Sequence, residues 1–272
     1  MGSGIAEVAA KAGANVVVFE PAEALVEAGR KRISGSLERA ASRGKLSEAD
    51  RDATLARFTF TTDLADLSDR QLVIEAVVED ETVKGKIFAQ LDELITDPDA
   101  VLASNTSSIP IMKIAAATKN PSRVLGLHFF NPVPVLSLVE LVPSLLTATE
   151  TTERARTFVE QTLGKHAIDC KDRAGFVVNA LLIPFVLSAI RMLESGFATA
   201  VDIDAGLVRG AAHPQGPLAL ADLIGLDTVK AVAESLYDEF KEPLYAAPPL
   251  LARMVEAGLL GRKTGRGFHT YV

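Results

Sequence analysis

Gly2-Ser3-Gly4-Ile5-Ala6-Glu7-Val8-Ala9-Ala10-Lys11-Ala12-Gly13-Ala14-Asn15-Val16-Val17-Val18-Phe19-Glu20 is the stretch that decides the fold. Two glycines enter a helical pattern from Ile5 to Ala12, Gly13-Ala14-Asn15 turns, and Val16 to Phe19 is a fully apolar strand closed by Glu20. A glycine turn at a helix start presents free N–H groups and the positive end of the helix dipole to a pyrophosphate. Glu20 stands 18 residues past Gly2, where a dinucleotide fold sets a carboxylate on the adenine ribose hydroxyls. A carboxylate there repels a 2′-phosphate and so favours NAD over NADP. By themselves, two glycines at a chain start are more often a flexible end.

The dinucleotide fingerprint also requires a strand ahead of its first glycine, and this sequence has none. In a doubly wound sheet that strand is central, so its loss leaves a slot flanked by apolar strands. Of two explanations, about ten residues (one strand and its turn) belonging ahead of Met1, or another element filling the slot, the first is preferred.

Outward from this stretch, strand and helix alternate. Charged helical patterns run from about Ala22 to Gly44 and from Ser47 to Arg57. Strand-like runs recur at Phe58–Phe60, Leu72–Ile74, Val101–Ala103 and Val124–Leu127, with a clear helix from Glu81 to Ile95. Apolar strands between helices indicate an α/β fold, a Rossmann-type doubly wound parallel sheet covered on both faces. After the short extended run His166–Ile168 the pattern becomes helical through Glu256, broken by His213-Pro214-Gln215-Gly216-Pro217 and by Pro243, Pro248 and Pro249. The expected division is residues 1–168 for the nucleotide-type domain and 169–272 for an all-α domain. Phe176 to Ile190 is apolar on all sides and reads as a central helix between others or across a subunit contact. It is too short to span a bilayer.

Composition narrows the class further. With 28 Lys+Arg against 35 Asp+Glu, the net charge of −7 makes nucleic acid an improbable partner. The lone Cys170 forms no internal disulfide or cysteine metal cage, and suggests a reducing compartment. Met1 leads directly into the helical pattern, so no secretory segment is expected. A soluble, cytoplasmic protein without a membrane or structural metal follows as the expectation. Within the acidic whole, Arg30, Lys31, Arg32, Arg39, Arg43 and Lys45 stand against Glu38 alone between Gly29 and Leu46. Arg32, Ser36, Arg39 and Arg43 share one helical face. This stripe is either a solvated face or a seat for a multiply phosphorylated small ligand.

The chemistry concentrates farther along. Ser104-Asn105-Thr106-Ser107-Ser108-Ile109-Pro110 follows a strand and enters a helix whose first turn accepts Pro110; it reads as a site loop or as a helix cap. His128 closes an apolar strand, where open α/β sheets bind ligands. Glu140 is an isolated carboxylate in the apolar run Leu138–Val142, and such a group needs a partner. Paired with His128 it makes an oriented general base, or else a structural pair. His166, His213 and His269 lack comparable company, and no histidine spacing resembles a metal site.

Ser104–Ser108, Leu127-His128-Phe129-Phe130-Asn131-Pro132-Val133-Pro134, Leu138-Val139-Glu140, Lys171-Asp172-Arg173-Ala174-Gly175-Phe176-Val177-Val178-Asn179, Gly216-Pro217-Leu218 and Gly261-Arg262-Lys263-Thr264-Gly265-Arg266-Gly267-Phe268 together resemble the L-3-hydroxyacyl-CoA dehydrogenase family. The chain length is similar to that of its single-function bacterial, 3-hydroxybutyryl-CoA type. The resemblance implies an N-terminal Rossmann domain and a C-terminal helical domain that forms a homodimer. It also implies NAD-dependent oxidation of short-chain L-3-hydroxyacyl-CoA to 3-ketoacyl-CoA in fatty acid metabolism, with hydride passing from substrate C3 to the nicotinamide.

By the same resemblance His128 is the base, Glu140 orients it, and Ser107 and Asn179 hold the substrate oxygen and thioester. Gly2, Glu20, Glu79, Lys84, Ser107 and Asn131 match cofactor-binding positions, and Ser36 and Arg43 match CoA-phosphate contacts. Two departures stand out: Glu20 replaces the family's usual aspartate, and of the glycine fingerprint only Gly2 is present. Neighbouring readings are a 3-hydroxyadipyl-CoA dehydrogenase of aromatic catabolism, a sugar-acid dehydrogenase and a non-catalytic CoA-binding paralogue. The basic stripe argues against the sugar acid, and the intact set Ser107, His128, Glu140 and Asn179 against the paralogue.

Overall fold

The apolar runs of the first half become strands in the computed structural model, which describes residues 1–271. They are β1 (Val16–Phe19), β2 (Phe58–Thr61), β3 (Leu72–Glu75), β4 (Val101–Ser104), β5 (Val124–Phe129), β6 (Leu138–Pro143) and β7 (His166–Asp169). β1 pairs in parallel with β2, while β3, β4, β5, β6 and β7 form a second sheet in that order. No hydrogen-bonded ladder joins β1 to β3, so each keeps an unpaired edge. All of β1 is half-buried, as are Leu72, Val73 and Ile74 of β3, whereas every residue of β4 and β5 is buried. Apolar strands are thus left half-covered beside unpaired edges.

The sheet is not uniformly parallel. β5 and β6 pair antiparallel. Only residues 130–137 join them, too few for the crossover that a parallel neighbour needs, so the chain must turn back on itself. β6 then pairs in parallel with β7.

Six helices accompany these strands: α1 (Gly2–Lys11), α2 (Glu23–Ser42), α3 (Glu48–Leu55), α4 (Glu81–Leu94), α5 (Ile111–Ala115) and α6 (Thr149–Thr157). α1 begins at Gly2 rather than Ile5, with the first turn closed by Gly4 N–H on the Met1 carbonyl. Ile5 of α1 packs into a core with Val101, Leu125, Leu127, Val139 and Leu141. Val26, Ile33 and Leu37 are the buried face of α2. Burial of such a face, more than propensity, holds a helix of this kind in place.

The chain divides into compact units Met1–Asp172 and Arg173–Val272. Residues 169–172 go with the first unit because Asp169 closes β7 and Asp172 accepts from the Ile111 and Met112 N–H groups of α5. The second unit holds α7 (Val178–Glu194), α8 (Ala200–Gly210), α9 (Pro217–Ile224), α10 (Leu226–Phe240) and α11 (Pro249–Glu256). α7 is not covered on all sides within its unit. Ile183, Val186, Leu187 and Ile190 are buried, but Leu181 is 72% exposed.

The tail is tied to this unit through carboxylates. Buried Asp222 accepts from Phe268 N–H, His269 N–H and the Tyr271 hydroxyl, and Asp204 meets His269 Nε2 at 2.7 Å. A Cβ on Gly267 would lie 1.9 Å from Asp222 Oδ1, which explains the glycine there. Among the described residues no helix is long and apolar enough to cross a membrane.

Candidate active site

β3, β4 and β5 run parallel, so Glu75, the loop after Ser104 and His128 arrive at one edge of the sheet. That carboxyl edge is where open α/β sheets place ligands. His128 lies directly across from Glu140 in the antiparallel β5–β6 register. The short reversal thus converts a twelve-residue sequence separation into a contact, with His128 Nδ1 and Glu140 Oε2 2.6 Å apart. Glu140 is fully buried and His128 is 6% exposed. A carboxylate accepting from Nδ1–H fixes the tautomer in which Nε2 carries the lone pair, the arrangement of an oriented base.

The serine-rich loop is organised around two carboxylates. Ser104 Oγ donates to Glu75 Oε2 at 2.7 Å, and Asn105 Oδ1 accepts from Phe129 N–H at 2.9 Å, which ties the loop to the strand carrying His128. Glu79 Oε1 accepts from Thr106 Oγ1 (2.5 Å), Ser107 N–H (3.0 Å) and both the N–H and hydroxyl of Ser108. Lys84, 1% exposed, sends its ammonium to Glu75 at 2.7 Å and Glu79 at 3.3 Å. Burial pushes the Glu79 carboxyl up, but the Thr106 bond, the Lys84 charge and the Ser107 and Ser108 bonds outweigh it and hold the group below its ordinary range. The loop is therefore no simple cap for α5, whose N–H groups go to Asp172 instead.

The side chains singled out in the sequence sort into two groups. Those of Glu140, Glu79 and Lys84 are engaged by other protein groups. Those of Glu20, Ser107 and Asn131 make no hydrogen bond or ion pair among the described residues, although each sits at or just past the carboxyl end of a strand. Gly2 opens α1, where a Cβ would meet Ala76 at an ordinary 3.5 Å. On α2, Arg30 and Lys31 pair with Glu27, while Arg32, Arg39, Arg43 and Lys45 form no ion pair among the described residues. Ser36 is half-buried, and Arg43 is exposed at the C-terminal end of α2. Asn179 belongs to the second unit, half-buried in the first turn of α7.

A dinucleotide-type α/β unit with a buried histidine–carboxylate pair at its strand ends, joined in the chain to a helical unit, is the architecture of a nucleotide-dependent oxidoreductase. Residues 1–173 match the model for the 3-hydroxyacyl-CoA dehydrogenase NAD binding domain, and residues 175–271 match that of its C-terminal domain. The chain belongs to the 3-hydroxyacyl-CoA dehydrogenase family. It is 67% identical over 271 residues to a 3-hydroxybutyryl-CoA dehydrogenase of Mycobacterium tuberculosis, covering 100% of this chain and 95% of that relative. It is 40% identical over 278 residues to the mitochondrial hydroxyacyl-coenzyme A dehydrogenase of Homo sapiens, covering 100% and 88%. Among solved structures, M. tuberculosis FadB2 superposes with a TM-score of 0.99 at 67% identity, covering 100% of this chain and 95% of that one. The (S)-3-hydroxybutyryl-CoA dehydrogenase of Ralstonia eutropha does so with 0.94 at 45%, with the same coverage.

The donor set fits NAD. Glu20, Ser107 and Asn131 are unpartnered acceptors and donors of the kind that ribose hydroxyls and a carboxamide require, and Gly2 with the start of α1 supplies N–H groups for phosphate. Glu75, Ser104 and Asn105 were not distinguished by reading the sequence. Glu75 nevertheless carries the same signal as Glu20, a carboxylate closing an apolar strand.

Proposed function

We propose that this chain catalyses the reversible NAD-linked oxidation of short-chain L-3-hydroxyacyl-CoA, 3-hydroxybutyryl-CoA above all, to the 3-ketoacyl-CoA. The observation that carries the reading is the buried His128–Glu140 pair at the carboxyl edge of the sheet. His128 Nε2 accepts the proton of the 3-hydroxyl, and Glu140 holds the ring and stabilises the imidazolium that forms. Ser107 and Asn179 donate to the substrate oxygen and thioester, where negative charge develops. Glu20, Glu79, Lys84, Ser107 and Asn131 hold the cofactor, Lys84 doing so through Glu79. When bound, NAD supplies the acceptor for the electrons that leave substrate C3.

Ser36 and Arg43 hold the CoA phosphates, a role that suits the uncompensated cations on α2. Residues 1–172 serve as the nucleotide domain and 173–272 as the substrate and dimerisation domain. Leu181, Phe197 and Val201, exposed by 72%, 80% and 67%, suit the helical domain to a homodimer contact. The protein works in the cytoplasm. Mixing the purified chain with NADH and acetoacetyl-CoA tests this reading. Consumption of NADH is expected, and the absence of both turnover and NADH binding would overturn it.

A further inference from the structure

Three charges lie together behind the serine loop, Glu75, Lys84 and Glu79, and only the last two figure in the proposed cofactor site. The side chains of Glu75 and Lys84 are 2% and 1% exposed. Glu75 uses both oxygens, Oε1 for Lys84 Nζ at 2.7 Å and Val77 N–H at 2.6 Å, Oε2 for Ser104 Oγ at 2.7 Å. Glu79 divides its oxygens differently. Oε2 faces Lys84 at a looser 3.3 Å, and Oε1 gathers Thr106, Ser107 and Ser108.

A buried ammonium needs a close counter-ion. With Glu75 present that need is met, so Glu79 remains turned outward onto the loop. Without the Glu75 charge, Glu79 is the one remaining carboxylate paired with Lys84 among the described residues, and a charge-assisted bond there should close to ~2.8 Å. Such closure draws Glu79 away from the Ser107 and Ser108 N–H groups. We propose that Glu75 is a positioning residue: by fixing the Lys84 ammonium, it leaves Glu79 to hold the Ser107–Ser108 backbone and so sets the place of the Ser107 hydroxyl in the site. The consequence for turnover rests on the dehydrogenase reading above, whereas the consequence for the loop does not.

The test uses Glu75→Gln, which keeps the shape and removes the charge, with amide hydrogen exchange and steady-state kinetics read on the same protein. In the unliganded variant the Ser107 and Ser108 amides should exchange about tenfold faster or more while Leu125 in β5 is unchanged. Unchanged Ser107 and Ser108 exchange overturns the proposal, as does a rise spread evenly over β4 and β5. In turnover, kcat should fall about tenfold or more, and Glu75→Asp should recover most of the loss.

The loss should also be coupled to Ser107. In a Ser107→Ala background, Glu75→Gln should lower kcat/KM by no more than about threefold further, whereas additive losses contradict action through Ser107. Should Glu75→Gln fail to fold, Glu75→Gln combined with Lys84→Met removes both buried charges; Ser107 and Ser108 exchange should then stay near the wild-type rate, and a rise would overturn the proposal. A wild-type chain that neither turns over nor binds NADH refutes the dehydrogenase reading, and the amide exchange then judges Glu75 alone.

Discussion

At the residue scale, the function depends on which side chains the protein itself engages. The Glu140 carboxylate reaches His128 Nδ1 at 2.6 Å in a setting without solvent. In the proposed reaction it has two tasks, selecting the tautomer and offsetting the imidazolium charge. Glu140→Gln keeps the volume but loses the charge, so kcat should fall by about 10²-fold or more with little change in KM. Steady-state kinetics with acetoacetyl-CoA and NADH check this, and a loss smaller than about tenfold would reduce Glu140 to a packing role. Ser107 is the counter-example, a polar side chain on a loop whose other members are all engaged. An unengaged hydroxyl is what the substrate oxygen of the proposed reaction requires.

Among the elements, the apolar runs were legible because parallel strands covered on both faces must be continuously apolar. Val16–Phe19, Val101–Ala103 and Val124–Leu127 all lie within observed strands. β6 was harder to read, since Leu138–Val142 drew notice for its carboxylate rather than as a strand, and its direction depends on a reversal that periodicity does not report. The His128–Glu140 pairing was legible only as a possibility, and register makes it a contact. Glu75 carries in the sequence only the strand-closing signal it shares with Glu20, and Asn105 only that of the Ser104–Ser108 loop, because their partners, Lys84 and Phe129 N–H, come from other elements.

The half-covered strands carry a prediction of their own. Amides of β1 and β2 should exchange more than about tenfold faster than those of β4 and β5, because β1 lacks a second neighbour. Equal protection in hydrogen exchange would mean that the slot has no energetic consequence. On α2, Arg43→Glu should raise KM for acetoacetyl-CoA more than it lowers kcat. An unchanged KM would return the stripe to solvated surface.

At the scale of the whole molecule, a net charge of −7 coexists with a basic stripe confined to one helix. In the proposed function this local cationic face on an acidic body draws the phosphates of a small molecule without inviting polyanions. The helical unit is fastened at its tail. Burial pushes the Tyr271 phenol up, with help from its bond to Asp222, to about 12. A raised value means that the neutral phenol is stabilised in the fold. That contribution is full below pH 10, the ordinary value, and is lost as pH rises through about 12. In an alkaline titration followed by phenolate absorbance, one late step should appear and should be the one lost in Tyr271→Phe; a loss confined to the ordinary range near ~10 would show that the fold does not hold this phenol neutral.

In the proposed function His128, oriented by Glu140, is the base of an NAD-linked dehydrogenase. The most direct test of that role compares wild type with His128→Ala in NADH consumption with acetoacetyl-CoA, alongside direct binding of acetoacetyl-CoA. The variant should lose about 10²- to 10⁴-fold in kcat while still binding acetoacetyl-CoA. Wild-type turnover in His128→Ala would contradict the account.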